Sequence, residues 1–527
     1  MSHSESNWQT GLLEQLKNRN IPVETSAVSA MPLWKIAAEH WRGAAELAER
    51  QSARWVSGWA EQRTGQYELN TVFAGSRGYL LLRTTVPEGK AELPSQATVY
   101  PAANRSERHT QDMFGIHFLE HPDNRPWLRH KAWKKHQYPL RKDFPLAGEP
   151  EKVTAPDMDY QFVKGRGAGV YEIPVGPVHA GIIEPGHFRF QAVGETVLNL
   201  EERLGYVHKG IEKNAEGRTA EQLARLAGRV SGDSTVAHAW AACQAMEQAA
   251  GVTITPHAAF IRGILTERER IANHMGDIGA ICNDVGFAFA QMQFTRLREL
   301  WLRNNKQFFA HRLLMDCIVP GGVSCSLTDE ACKTLQQELQ ALKKELGEIL
   351  PALDLNSSLE DRLLTAGWLS EETAAAFSAV GYVGRASGQD VDARCDAPCP
   401  PYDRLNFKVA LENQGDVASR LWVRVQEIFA SIKLLAQMLE QLPEGETKTA
   451  WQTPAADSEG IGIIEGWRGE IVTFVRFTEN NQIARFYPRD PSVVNWPTLE
   501  KIVMNNIVPD FPVCNKSING SYSGHDL

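Results

Sequence analysis

Two long stretches repeat apolar residues at helical spacing. Between Ser326 and Leu350, Leu335, Leu339, Leu342 and Leu346 recur at intervals of three and four. Between Asp416 and Leu442 the same pattern runs through Leu421, Val425, Ile428, Ile432, Leu435 and Leu439. Asp416 is placed as its N-cap and Pro443 as its stop. Together they predict an antiparallel helical bundle. A helix carries Leu223, Leu226 and Val230, and Ala239 to Ala250 is helix-prone throughout. Ile261 to His274 reads as a further helix, with Glu267 and His274 seven apart on one face and its carboxylates read as solvated charges or as part of a proton route. Elsewhere the period shortens. Tyr67 to Phe73 and Tyr79 to Val86 are rich in β-branched and aromatic residues and predict strands. Ile173 to His179 and Glu184 to Phe190 predict two strands joined by a turn, and residues 455–495 read as strands and turns.

These elements divide the chain. Residues 1–145, with helices expected over Leu12–Lys17 and Leu33–Glu49, read as a small α/β domain. Residues 146–170, rich in Pro, Gly, Asp and Lys without periodicity, read as a linker. Residues 171–527 form a large, mainly helical domain, so the fold class is α+β.

Composition narrows the function. A content of 43% hydrophobic and 23% charged residues over 527 positions fits a globular protein with a large core. The net charge of −9 argues against a nucleic-acid partner. The N-terminus shows no basic segment followed by an apolar run, so no secretory signal is expected. No stretch approaches the roughly 20 apolar residues that span a bilayer, so membrane contact is expected only through partners. The eight Cys form no Cys-x-x-Cys pair, so neither a zinc site nor an iron–sulfur ligand set is expected in this chain. No Gly-x-Gly-x-x-Gly follows a strand, which leaves out a dinucleotide site.

Candidate chemistry lies in Arg229-Val-Ser-Gly-Asp-Ser-Thr-Val-Ala-His238 and in Ser521-Tyr-Ser-Gly-His-Asp526. Further motifs follow in fixed order. They are Glu107 to His117 with Tyr138-Pro-Leu-Arg-Lys-Asp143, Ile173 to His179, Glu184-Pro-Gly-His-Phe-Arg-Phe190 and Leu204 to Lys213. Gly384-Arg-Ala-Ser-Gly388 with Asp392 and Arg394, Gly415 to Arg420, and Asn495-Trp-Pro-Thr-Leu come after them. In this order the chain resembles the large subunit of energy-converting [NiFe] hydrogenases of the hydrogenase-4 and formate hydrogenlyase type. It is similar as well to two fused subunits of respiratory complex I, with 1–145 matching the 30 kDa type and 171–527 the 49 kDa type.

The resemblance implies a site with its metal ligands removed. The four thiolate positions of the hydrogenase pattern fall on Ser231, Ser234, Ser521 and Gly524. A serine hydroxyl stays protonated at neutral pH and is a poor ligand for a soft metal, so no metal site is expected. Ser231 and Ser234 read equally as ordinary helix-start residues. The His that lines the quinone cavity of the 49 kDa type maps onto His187, while its quinone-contacting Tyr falls on Gly232. His238 and Asp233 remain near the vacated position, Asp233 serving either a proton path or a helix cap. Arg385, Asp392 and Arg420 either line the cavity or form a structural ion-pair network. The Glu107–Asp143 run reads as a docking surface. The chain also ends almost on the second ligand pair, without the tail that hydrogenase precursors lose after nickel insertion, which fits a protein that never loads nickel.

Two functional expectations follow. In the first, the chain is part of a peripheral oxidoreductase complex on the cytoplasmic face of the cell membrane. A 4Fe–4S cluster sits in a neighbouring small subunit, membrane subunits move ions, and a quinone-like acceptor enters the cavity. An active hydrogenase is not expected. In the second, it is a non-catalytic scaffold that holds the cluster-bearing partner on a membrane arm.

Overall fold

The computed structural model describes residues 8–75, 78–134, 136–148 and 160–527. Residues 149–159 of the expected linker lie outside them. After α1 (Trp8–Asn18) come β1 (Glu24–Val28), β2 (Met31–Lys35), α2 (Trp41–Arg50), β3 (Arg54–Arg63), β4 (Gln66–Gly75) and β5 (Gly78–Pro87). They form a sheet of order β1-β2-β5-β4-β3, antiparallel except for the β2–β5 pair. The helix expected over Leu33–Glu49 is corrected at its start. Leu33 to Lys35 pair with Leu81 to Arg83 in a parallel ladder, and the helix begins only at Trp41. Backbone pairing with a distant strand overrides local propensity there. β6 (Glu92–Pro94) and β7 (His117–Leu119) pair in parallel and flank α3 (Asn104–Phe114).

The second part opens with an antiparallel sheet of β8 (Tyr171–Val175), β9 (His187–Val193) and β10 (Thr196–Arg203). The two expected strands are present, separated by a loop over 176–186. Then come α4 (Ile211–Ala215), α5 (Ala220–Ala227), α6 (Thr235–Ala250), α7 (Pro256–Asp284) and α8 (Ala288–Phe309). A two-stranded hairpin, β11 (Ile318–Val319) and β12 (Gly322–Val323), leads to α9 (Asp329–Asp354). Four short helices, α10 (Ser357–Leu363), α11 (Glu371–Ala376), α12 (Gly381–Arg385) and α13 (Ala393–Asp396), precede α14 (Val417–Glu440).

The periodic leucines of α9 and α14 are buried in one core with α6, α7 and α8. Asp416 caps α14 as expected, its Oδ1 accepting the Ser419 N–H at 2.8 Å. α7 departs from expectation. It runs through the middle of the bundle, so Glu267, Arg268, Glu269, Arg270 and His274 are all buried rather than solvated.

β13 (Glu459–Gly466), β14 (Gly469–Phe477) and β15 (Ile483–Arg489) form a third antiparallel sheet. It lies between α6 and the N-terminal sheet, and the sequence of β13 explains how. Alternate residues face opposite sides. Ile461 and Ile463 join Val56, Trp59, Val72 and Leu81 of the N-terminal sheet. Gly460 and Gly462 face α6, where a Cβ on Gly462 would stand 2.0 Å from the Ala241 carbonyl oxygen. Only glycine lets strand and helix approach so closely. The chain closes with α15 (Ser492–Ile502), α16 (Phe511–Ile518) and α17 (Tyr522–Asp526). α15 overlaps the end of the stretch read as strands and turns.

α3 does dock, but inward. His109 bonds Glu212 at 2.7 Å, and Arg105 reaches Glu202 and Glu500 of the second part. The docking surface read in Glu107–Asp143 is therefore at least partly a seam within the chain.

Candidate functional site

The loop between α5 and α6 meets the C-terminal segment under a cavity of about 600 Å³. Ser231 Oγ lies 2.9 Å from Ser521 Oγ, although 290 residues separate them. Ser231 donates its proton to Asp233 Oδ1 at 2.8 Å, so Ser521 is the donor to Ser231. Ser521 Oγ accepts in turn from the Gly524 N–H at 2.9 Å, which caps α17.

Arg468, in the β13–β14 turn, meets Asp233 through a two-pronged contact, Nη1 to Oδ1 at 2.5 Å and Nη2 to Oδ2 at 2.6 Å. It also donates to Ser234 Oγ at 3.3 Å and to the Asn519 carbonyl at 2.7 Å. Its guanidinium lies over the Trp467 ring, 4.0 Å from the centroid. Trp467 and Asn273 both donate to the Asp233 carbonyl, at 2.8 and 2.7 Å. Burial raises the Asp233 pKa, but the charge and hydrogen bonds of Arg468 outweigh it and hold the carboxyl below its ordinary value.

The four positions singled out by sequence thus lie close together, Ser231 and Ser521 lining the cavity and Ser234 and Gly524 buried beside them, with Gly524 backed by Asp490. A Cβ on Gly524 would stand 2.5 Å from Asp490 Oδ2. That carboxylate is engaged with His238 Nε2 at 2.8 Å and with the Ser492 N–H at 2.8 Å. Although burial raises its pKa, the bond to His238 leads the groups that keep Asp490 well below the carboxylate range.

The structure corrects several readings. Asp233 is not a helix cap, because both its oxygens go to Arg468. Ser234 stands at the N-cap of α6 but makes no capping bond. The free N–H groups of Val236 and Ala237 are taken by Glu269 of α7, at 2.7 and 3.2 Å. Burial pushes Glu269 up to about 8.

His187 is buried on β9 beside Phe162, its Nδ1 3.3 Å from the Gly176 carbonyl. It stands behind the 176–186 loop, and His179 lines the cavity instead. His238 is buried against Asp490 and does not line the cavity. Arg385 and Asp392 do not line it either. Arg385 pairs with Glu427 at 2.6 Å and Glu465 at 2.9 Å, and Asp392 with Arg394 at 2.6 Å, all buried between α7, α14 and β13. Arg420 clamps backbone, donating to the carbonyls of Gly415 at 2.8 Å and Gly367 at 2.6 Å. Of the two alternatives, lining is thus set aside: Arg385 and Asp392 sit in a buried ion-pair network, while Arg420 is satisfied by backbone carbonyls and by Ser517 Oγ at 2.9 Å.

Sequence reasoning missed Arg468 and Asp490, while Glu269 lay in the Ile261–His274 stretch, whose carboxylates read as solvated charges or as part of a proton route. The Trp-Arg-Gly turn at 467–469 was the visible signal, a charged residue between two apolar strands. The cavity lining combines apolar Ile182, Ile183 and Phe511 with polar Ser231, Asp233, Arg468 and Lys516. Such a site suits a flat, largely apolar molecule bearing oxygen acceptors.

Three family descriptions match the chain. The 30 Kd subunit of respiratory-chain NADH dehydrogenase covers residues 29–150, nickel-dependent hydrogenase covers 209–276, and the 49 Kd subunit of respiratory-chain NADH dehydrogenase covers 284–459. Formate hydrogenlyase subunit 5 of Escherichia coli (strain K12) is 32% identical over 462 residues, 87% of this chain and 81% of the relative. Hydrogenase-4 component G of the same organism is 30% identical over 85% of this chain and 78% of its own length. The C/D subunit of NADH-quinone oxidoreductase from Phocaeicola vulgatus is 30% identical over 79% of this chain and 83% of that protein. A chain of the membrane-bound sulfane sulfur reductase (MBS), an archaeal respiratory membrane complex, shares the fold at 22% identity and a TM-score of 0.64. That match covers 68% of this chain and 99% of the other.

Proposed function

The chain belongs to the family that joins the large subunits of formate hydrogenlyase and hydrogenase-4 to the C/D subunit of NADH-quinone oxidoreductase, and from that membership we propose a subunit of a membrane-associated oxidoreductase complex working without a nickel–iron centre. The observation that carries this reading is the hydrogen-bonded wall of Ser231, Ser521, Asp233 and Arg468. Its donors are hydroxyls, a carboxylate and a guanidinium, none of them a soft-metal ligand. Gly524 offers no side chain, and Asp490 lies where one would project. These residues do not fit a nickel–iron centre.

The same wall fits a quinone-like acceptor in the cavity. A quinone, when bound, takes up two electrons and two protons. Lys516 and Arg468 place positive charge where its oxygens become more negative on reduction. Ile183 and Phe511 offer its ring apolar contact. Glu269 and Glu465, pushed up by burial to about 8 and about 7, are groups beneath the site that exchange protons near neutral pH. Electrons arrive from a 4Fe–4S cluster in a partner. Among the described residues no helix is long and apolar enough to cross a membrane, so this reading puts the contact with the cytoplasmic face of the membrane in partner subunits.

The test is turnover of the purified complex with quinone analogues, together with elemental analysis. Lys516→Met is expected to weaken acceptor binding roughly tenfold or more, the equivalent of one lost charged hydrogen bond. Nickel bound in stoichiometric amount overturns the reading. The second reading, a scaffold without catalysis, rests on His187 and His238 being turned away from the cavity. Full turnover in Lys516→Met and Asp233→Asn, with the complex still assembled, selects it.

A further inference from the structure

Where the N-terminal sheet meets the β13–β15 sheet, three carboxylates crowd together. Glu61 of β3 and Glu68 of β4 are direct partners in an antiparallel ladder, so their side chains stand on one face. Glu459 of β13 approaches from across the seam. One carboxylate oxygen of each lies within 4.8 Å of those of the other two. Glu61 and Glu68 are 1% and 6% exposed, so water does not separate them. Like charges directly opposite on a sheet repel, and more strongly where water is excluded.

The neighbouring cations do not relieve this. Arg476 of β14 binds Glu61 Oε2 at 2.8 Å and the exposed Asp457 at 2.7 Å. Arg83 of β5 reaches Glu459 at 2.9 Å. Its Nε stands 3.1 Å from Glu68 Oε1, but the single hydrogen there goes to Asn70 Oδ1 at 2.7 Å. Arg63 of β3 pairs with Asp457 at 3.0 Å and stays 3.9 Å from Glu61 Oε1, too far for a hydrogen bond. Four carboxylates thus share three guanidiniums. The Oε1 atoms of Glu61 and Glu68 accept no hydrogen bond from any described residue. One proton satisfies both, since a carboxylic acid donates where a carboxylate accepts.

We propose that Glu61 and Glu68 share one proton and so form a pH-dependent latch between the N-terminal part and the β13–β15 sheet. While the proton is held, the facing pair carries one negative charge. Its loss to solvent sets a second charge against Glu459 across the seam. Glu68 holds the larger share. Burial pushes it up to about 7 against the pull of Arg83, helped by the charge of Glu61. At Glu61 burial acts the same way, but Arg476 and Arg63 outweigh it and keep that carboxyl below its ordinary value. A carboxyl raised on folding contributes stability that is complete below its unfolded pKa and is lost as pH rises through the folded one. The latch therefore holds in mild acid and loosens above about pH 7.

The experiment follows the infrared band of protonated carboxyls in the full chain from about pH 5 to about pH 9, in the parent, Glu61→Gln and Glu68→Gln. Urea unfolding midpoints are measured over the same range. Both variants are expected to lose the same component of the band, because either amide supplies the missing donor. Their midpoints are expected to fall less with rising pH than the parent's. Slopes are compared, so a general loss of stability does not obscure the result. A component that survives in Glu61→Gln means that Glu68 holds its proton alone, and overturns the sharing. Midpoints that fall in parallel in all three proteins overturn the latch. Exchanging sodium for tetramethylammonium is expected to change nothing. A parent midpoint that depends on sodium, with no component lost in either variant, puts a metal cation where the proton was assigned and overturns the proposal.

Discussion

Glu269 belongs to α7 but caps α6. Its carboxyl, pushed up to about 8, keeps a proton in the folded chain that the unfolded chain releases near about 4.3. A carboxyl raised on folding contributes stability that is complete below the unfolded pKa and is lost as pH rises toward the folded one. Stability is therefore expected to fall between about pH 5 and about pH 8, by up to about 1.4 kcal/mol per pH unit from this group. Glu269→Gln should flatten that slope in urea unfolding at several pH values; parallel slopes in the two proteins refute the assignment. At this scale the sequence was only half informative. Ser231 and Ser521 could be picked by motif, because the framing residues travel with them. Arg468 and Asp490 could not, because they meet Asp233 and His238 across 235 and 252 residues. No spacing rule spans such distances.

Helices are where periodicity spoke most plainly. α9 and α14 each lay one apolar stripe on the core, so their leucines predict both the element and its buried face. α14 is pinned at its start by Asp416, which accepts from Ser419 and also from the Thr365 N–H at 3.0 Å. Asp416→Ala should lower stability by about 2 kcal/mol, the upper end for a cap, and Asp416→Asn should recover most of it. Chemical denaturation of both variants checks this, and equal losses would show that the cap bond is not what holds α14. α7 defeated the same reasoning. Its charges look like a solvated face, yet Arg270 and Arg394 both bond Glu267 inside the bundle, and Glu267 is held down to about 2 despite its burial. A charge pattern along a chain does not reveal whether its partners are water or other side chains.

Across the whole molecule the two halves share one interior. The N-terminal sheet faces the β13–β15 sheet, with Trp59 against Phe474 at 5.1 Å and Tyr487 at 5.3 Å. Around this apolar patch lie ion pairs that cross the seam. Glu470 binds Arg54 at 2.9 Å and the Tyr79 hydroxyl at 2.5 Å across it, as well as Arg489 of its own sheet at 2.5 Å, while Arg476 binds Glu61 at 2.8 Å. Glu470→Ala leaves two arginines without their carboxylate and should lower stability by about 3–5 kcal/mol. Far-ultraviolet dichroism and tryptophan fluorescence are expected to report one shared unfolding transition in the parent chain. Two separated transitions would mean that the halves fold independently. The division into a small and a large part was legible from composition and period. Their union was not, since a strand buried on both faces reads the same whichever partner covers it.

The close approach of Asp490 to Gly524 sets the order in which any engineering of this wall has to proceed. A side chain introduced at position 524 collides with a carboxylate already committed to His238 and Ser492. Writing sulfur back into the two segments is thus the second step of a redesign. The first is to rehouse Asp490, and with it the imidazole that depends on it.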